Sequence, residues 1–289
     1  MKTLVVTVPR LETHRPPPGP AIVANVCAMQ GHDVFARDLN IELLLYCKSV
    51  GFDYYSLDSV FDRISQPTPE QHQVLNDFMN LWARKISSGS YDYIMYAVFG
   101  MSGLWFAEEF LKILRPMTSA KIVAGGMGVG TYSLTNAKTC FGEKMKTAGL
   151  LDDYIVGEAE HNLVKYLNGE SGPGINNTDY DQIEDIENLP EPDYSYFDLE
   201  KYEYLYPGQR EVYITGSRGC VRKCKFCDVP SRWPKYKFRK GHEIAHEMYT
   251  HYQNTGVSVF QFTDSVINGV IPEFEKLQEE IIKFKQQDP

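Results

Sequence analysis

Residues 214–228 read Ile214-Thr215-Gly216-Ser217-Arg218-Gly219-Cys220-Val221-Arg222-Lys223-Cys224-Lys225-Phe226-Cys227-Asp228. The stretch leaves a short β-prone run, Glu211–Thr215, and delivers three cysteines at C-x₃-C-x₂-C spacing within eight residues. Structural zinc sites need four ligands and usually take them as two close pairs. A [4Fe–4S] cube normally takes four thiolates, so three would leave one iron open to an outside ligand. Residues 218–240 hold nine basic residues (Arg218, Arg222, Lys223, Lys225, Arg232, Lys235, Lys237, Arg239, Lys240) and one acid, Asp228. Such flanking cations lower thiolate pKa values and offset the negative charge of a thiolate-bound metal group.

Downstream of the cysteines the chain alternates again. His242–Gln253 reads as a helix and Val257–Phe262 as a strand. Pro272 then opens a helix that carries Phe274, Leu277, Ile281 and Phe284 on one stripe, proline being favoured in a helix's first turn. Two parallel strands close neither a barrel nor a sheet with a usable core. The region is therefore expected to be completed by further chain or by a partner.

Upstream, residues 1–170 read as alternating strands and helices. The strand candidates are Thr3–Val8, Asp33–Arg37, Asp92–Val98, Ala120–Ala124 and Asp153–Val156, each apolar on both faces, as parallel strands covered by helices are. Helices fit Gly19–Gln30 (closed by Gly31), Pro69–Lys85 (Val74, Phe78, Trp82 and Ile86 at steps of four), Gly103–Arg115 and His161–Leu167. This is the pattern of a doubly wound α/β domain. Residues 171–210 form a Pro- and Tyr-rich connection through Leu189-Pro190-Glu191-Pro192-Asp193, followed by Tyr194, Tyr196, Phe197, Tyr202, Tyr204 and Tyr206. So many rings predict a segment packed on a domain surface rather than a loose tether.

The whole chain of 289 residues carries −9 at pH 7, so the +8 of the 218–240 window leaves −17 elsewhere. An acidic chain is not a generic nucleic-acid coat. Six cysteines are too few for a disulfide scaffold, and Cys27, Cys47 and Cys140 sit among apolar neighbours as ordinary core residues. No apolar run reaches the ~18 residues that span a bilayer, and Leu4–Val8 is short for a signal-peptide core. A cytoplasmic protein without membrane contact is expected.

The C-x₃-C-x-aromatic-C string, with Phe226 as the aromatic, resembles the radical S-adenosylmethionine (radical SAM) superfamily. The resemblance implies a partial TIM-like barrel whose first part is 211–289. It also implies that Cys220, Cys224 and Cys227 hold a [4Fe–4S] cluster whose open iron is chelated by S-adenosylmethionine. Phe226 would line the adenine side, and Asp264, in Phe262-Thr263-Asp264-Ser265, would approach the cofactor's amino group. Such enzymes take their electron from a carrier such as a flavodoxin or ferredoxin.

The alternating domain and the Leu189–Tyr194 bridge resemble the cobalamin-binding subclass, with a flavodoxin-like domain over 1–170 and a glycine pair, Gly125-Gly126, where cobalamin would approach the sheet. Methyl transfer or a related radical reaction is then implied. The Asp-x-His-x-x-Gly string that supplies a lower cobalt ligand is not matched by Glu12-Thr13-His14-Arg15-Pro16-Pro17, so His14 reads as a loop histidine.

Two alternatives accompany this reading. An RNA methylthiotransferase would use the basic window for RNA and take three more cluster thiols from the N-terminal domain. A non-catalytic zinc module would recruit His242 or His246 as a fourth ligand.

Overall fold

The computed structural model describes residues 1–9, 11–130, 132–133, 136–179, 182–204 and 206–287. Three residues of the 171–210 connection and the last two of the chain lie outside that set. The chain divides into two compact units. The first comprises residues 1–13 and 19–181, the second residues 14–18 and 182–289.

The first unit is built on β1 (Lys2–Thr7), α1 (Pro18–Met29), β2 (Asp33–Asp38), α2 (Leu39–Ser49), the short α3 (Asp58–Phe61), α4 (Pro69–Ser87), β3 (Tyr93–Ala97), α5 (Leu104–Leu114) and β4 (Lys121–Gly125). It continues through the small antiparallel pair β5 (Tyr132–Ser133) and β6 (Asn136–Cys140), then α6 (Phe141–Thr147), β7 (Asp153–Tyr154) and α7 (Ala159–Leu167). The main sheet is parallel, in the order β2-β1-β3-β4-β7. The chain thus starts in the interior of the sheet, moves one strand outward, then crosses back and builds the other side. That reversal places a topological switch point between β1 and β3, and in such sheets ligands bind beyond the carboxyl ends of the strands there.

Local chemistry explains the elements. Leu4, Val5 and Val6 are all buried, so β1 is covered on both faces. Thr68 and Gln71 form a reciprocal capping box ahead of Pro69, which starts α4. The buried face of α4 is Leu75, Phe78, Met79, Trp82, Ala83 and Ile86. Phe78 meets Phe106 of α5 at 6.2 Å between ring centres, and Phe106 meets Phe110 at 5.7 Å. Burying an aromatic ring this way contributes roughly 1.5–3 kcal/mol.

The second unit contains β8 (Glu211–Ile214), β9 (Ser217–Arg218), α8 (Val229–Arg232), β10 (Lys237–Phe238), α9 (Gly241–Thr255), β11 (Val259–Phe262) and α10 (Ile271–Gln287). β8 and β11 pair in parallel, Glu211 opposite Val259 and Ile214 opposite Phe262. β9 and β10 pair antiparallel and close the loop that carries the cysteines. The core is Ile214, Ile244, Ala245 and Leu277, flanked by Met248, Phe260, Phe262, Phe274, Ile281 and Phe284. α9 and α10 touch backbone to backbone at Gly241, whose amide donates to Glu273 Oε2 at 2.8 Å. From the 171–210 connection, Tyr194, Phe197 and Tyr202 are buried, and the Tyr194 hydroxyl donates to the Tyr213 carbonyl of β8 at 2.8 Å. Tyr206 is exposed. Among the described residues no helix is long and apolar enough to cross a membrane.

Candidate metal centre

The ends of β8 and β11 lie side by side, tied by a hydrogen bond between the Thr215 and Thr263 hydroxyls at 2.9 Å. One residue further, the Gly216 amide donates to Asp264 Oδ2 at 3.0 Å. Asp264 therefore reaches back to the other strand end. Its second oxygen, Oδ1, is buried and has no hydrogen-bond partner. Burial is the main influence on this carboxyl and raises its pKa, with hydrogen bonds around it pulling the other way. A half-satisfied carboxylate at the carboxyl end of two parallel strands is matched by a cationic ligand group.

The loop between β9 and β10 holds the thiols. Gly219 enters it at φ +83°, and a Cβ there would lie 2.8 Å from the Lys235 carbonyl oxygen, so glycine is required. Cys220 and Cys227 are half-buried, Cys224 is exposed, and all three are free thiols. The Arg222 amide donates to Cys220 Sγ at 3.4 Å, and the Cys227 amide to the Cys224 carbonyl at 3.1 Å. N–H groups aimed at sulfur stabilise thiolate-bound iron–sulfur groups.

The donor set fits such a cluster: soft sulfur ligands from one loop, an N–H on one of them, and Arg222, Lys223 and Lys225 beside them without ion-pair partners among the described residues. Among the described residues no three His, Cys, Asp or Glu side chains converge on a single ion. Neither the three thiols alone nor the thiols with His242 or His246 form an assembled ligand set among the described residues. Phe226 stands at the loop with 94% of its surface exposed and packs against nothing beneath the loop.

The basic window is largely compensated. Lys235 and Lys237 both pair with Glu184, Lys240 with Glu187 at 2.9 Å and Arg232 with Asp228 at 3.2 Å. Arg239 is buried against Glu247, a pairing that counting charges along the sequence does not reveal.

In the first unit, the glycine pair has two distinct settings. Gly126 has φ +98°, and a Cβ there would meet the Val98 carbonyl oxygen at 2.5 Å. Its freedom serves the packing of the loop after β4 on the segment after β3. At Gly125 a Cβ would meet only the Ile155 carbonyl oxygen, at 3.9 Å, so that position is open. Phe99, Met101 and Met127 are exposed apolar side chains on the loops after β3 and β4. The Thr7 hydroxyl, at the end of β1, is buried without a hydrogen-bond partner. Neither the exposed apolar trio nor Thr7 carries a sequence signal, because exposure is set by the topology. These features surround the switch point with apolar surface and one unsatisfied polar group, a setting that fits a large planar cofactor.

His14 belongs to the second unit, its Nε2 held by the Arg15 guanidinium. Arg15 in turn pairs with Glu211 at 2.8 Å and lies over the Tyr213 ring at 4.9 Å. The histidine is thus engaged by the guanidinium of its neighbour. Cys27, Cys47 and Cys140 are buried in separate elements, and burial pushes the first two thiols up to about 12 and about 11.

No family model matches the chain. A curated relative, the anaerobic magnesium-protoporphyrin IX monomethyl ester cyclase of Synechocystis sp., is 31% identical over 130 residues, covering 39% of this chain and 26% of its own length. Among solved structures, the radical S-adenosylmethionine methyltransferase TsrM of Kitasatospora setae, with tryptophan and a SAM analogue bound, superposes at TM-score 0.61 and 17% identity. The match covers 100% of this chain and 52% of that one. A second TsrM structure, with cobalamin and a [4Fe–4S] cluster bound, matches at TM-score 0.56 and 16% identity, over 53% of its length. The chain therefore spans about a quarter of the curated relative and about half of TsrM. The superpositions on TsrM show the α/β fold over the whole chain, and the curated relative shares sequence with part of it.

Proposed function

We propose that the chain is the cofactor-bearing part of a radical SAM enzyme of the cobalamin-domain subclass, which carries out methyl transfer or a related radical reaction. The observation that supports this reading is the unpartnered Asp264 Oδ1 at the strand ends, in a unit whose β9–β10 loop carries three free thiols. Cys220, Cys224 and Cys227 would bind the [4Fe–4S] cluster. Held there, the cluster would supply one-electron reducing chemistry toward bound S-adenosylmethionine. Asp264 would receive the cofactor's ammonium group on Oδ1 while Gly216 holds Oδ2. Phe226, exposed at the loop, is available to cover the adenine.

The switch-point edge of the first unit would hold cobalamin, with Gly125 facing it and no ligand from His14. A small one-electron carrier such as a flavodoxin or ferredoxin would reduce the cluster, and a reducing cytoplasm suits its free thiols. The rest of the barrel, from further chain or a second chain, would supply the substrate contacts.

The test is anaerobic reconstitution with iron and sulfide, then electron paramagnetic resonance of the dithionite-reduced protein. A [4Fe–4S]⁺ signal that changes on adding S-adenosylmethionine is expected. Retained zinc with no iron uptake would overturn the reading.

A further inference from the structure

Arg239 lies between β10 and α9, and 9% of its surface is exposed. Its Nη1 donates to the Thr215 carbonyl at 3.0 Å and to Glu247 Oε2. Its Nη2 faces Glu191 Oε1 at 3.5 Å, and its backbone amide donates to the Gly216 carbonyl at 2.8 Å. Glu247, on the buried face of α9, is 1% exposed. A buried ion pair does not by itself stabilise a fold relative to apolar residues of similar size. What this pair holds is therefore the informative point.

The Thr215 carbonyl and the Gly216 amide belong to one peptide group, which is a rigid plane. Arg239 grips that plane by its oxygen, and its N–H holds Asp264 Oδ2, with the Ser217 hydroxyl and amide also bonding the carboxylate. The next carbonyl, that of Gly216, is fixed by the Arg239 backbone. Glycine has the widest torsional freedom of any residue, so its peptide planes take their orientation from such outside contacts.

We propose that Arg239, clamped by Glu247, is a positioning residue. It sets the tilt of the Thr215–Gly216 peptide, and through that plane it orients the Asp264 carboxylate so that Oδ1 is presented to the ammonium group of S-adenosylmethionine. The inference deepens the functional reading above and rests on it for the identity of the ligand. Arg239 touches neither cofactor nor cluster in this scheme. Its effect passes through the Thr215–Gly216 plane and the Gly216–Ser217 plane next to it.

The experiment compares wild type with the double variant Arg239→Met/Glu247→Leu, which replaces the ion pair by apolar side chains of similar size. Iron content after reconstitution and the thermal midpoint are expected to match wild type. Hydrogen exchange in residues 214–217 is expected to quicken about tenfold, and the concentration of S-adenosylmethionine that half-changes the paramagnetic signal to rise about tenfold, the loss of one charge-assisted hydrogen bond.

Unchanged half-saturation, with or without faster exchange, would overturn the positioning role. Should the double variant not fold, Arg239→Lys keeps the charge beside Glu247 but lacks the planar fork. Wild-type values for that variant in both readouts would equally overturn the proposal. A wild-type protein that loads its cluster yet ignores S-adenosylmethionine would instead overturn the functional reading, and exchange at 214–217 would still decide whether Arg239 fixes the plane.

Discussion

The Cα of Gly126 lies so close to Val98 that a methyl group on it would sit 2.5 Å from the Val98 carbonyl oxygen, and the Gly128 amide donates to the same oxygen at 2.9 Å. The loop after β4 is therefore locked onto the segment after β3. Gly126→Ala adds a backbone clash to a left-handed conformation, and is expected to cost about 2–4 kcal/mol in urea unfolding. Gly125→Ala meets no close atom and is expected to leave the unfolding midpoint in place while weakening cobalamin binding. Unchanged binding in that variant would remove Gly125 from the cofactor site.

The six cysteines fall into two classes that iron analysis separates. Single Ala substitutions of Cys220, Cys224 or Cys227 are expected to abolish cluster loading without lowering stability by more than about 0.5 kcal/mol, since none is in a packed core. Substituting Cys27, Cys47 or Cys140 is expected to leave the iron content unchanged. Alkylation of the apoprotein near pH 8 would check the same division, because burial suppresses the thiolates of Cys27 and Cys47.

Asp264 gives a pH test with a definite sign. Its pKa in the folded state lies above the usual carboxylate value, with burial as the largest cause. Folding therefore favours the protonated form, and the contribution of this group to stability falls as pH rises through the carboxylate range. Asp264→Asn is expected to raise the thermal midpoint at neutral pH, an advantage that fades on acidification. The same variant is expected to bind S-adenosylmethionine less tightly. A lower midpoint at neutral pH would contradict the unpartnered setting of Oδ1.

Gly241 offers a mechanical test of the second unit. A Cβ there would lie 2.1 Å from the Glu273 carbonyl oxygen and 2.5 Å from the Leu277 amide nitrogen. Both are backbone atoms, so α9 and α10 must separate to admit it. Gly241→Ala is expected to cost about 3 kcal/mol or more by denaturant unfolding. A wild-type midpoint would mean that the two helices shift apart freely.

Much of this was legible in the residues themselves. Runs such as Thr3–Val8 and Ala120–Ala124 mark the parallel strands because both of their faces are apolar, and Pro69 with its four-residue spacing marks α4. The helix α2 was not marked. Asp38 both ends β2 and caps α2, and the helix buries Leu39, Asn40, Ile41, Leu43, Leu44 and Cys47, leaving no apolar stripe to read. The cysteine triplet and Asp264 are visible as residue types in a pattern. That one Asp264 oxygen is held and the other left free depends on the register of β8 with β11, which no local pattern encodes. The two roles of the Gly125-Gly126 pair separate only when Val98 is placed beside one of them.

The acidic segment that pairs with the basic window has a consequence for polyanions. Glu184, Glu187, Asp228 and Glu247 already pair with five of the nine cations between 218 and 240, Glu184 serving two of them. A single-stranded nucleic acid laid on this face would displace condensed counterions only against the remainder, chiefly Arg222, Lys223 and Lys225. With about three phosphates neutralised, the logarithm of its binding constant would fall with the logarithm of salt concentration at a slope of only about −2. The face that looks most like a nucleic-acid binder in a charge count thus has the ionic grip of a small anion site.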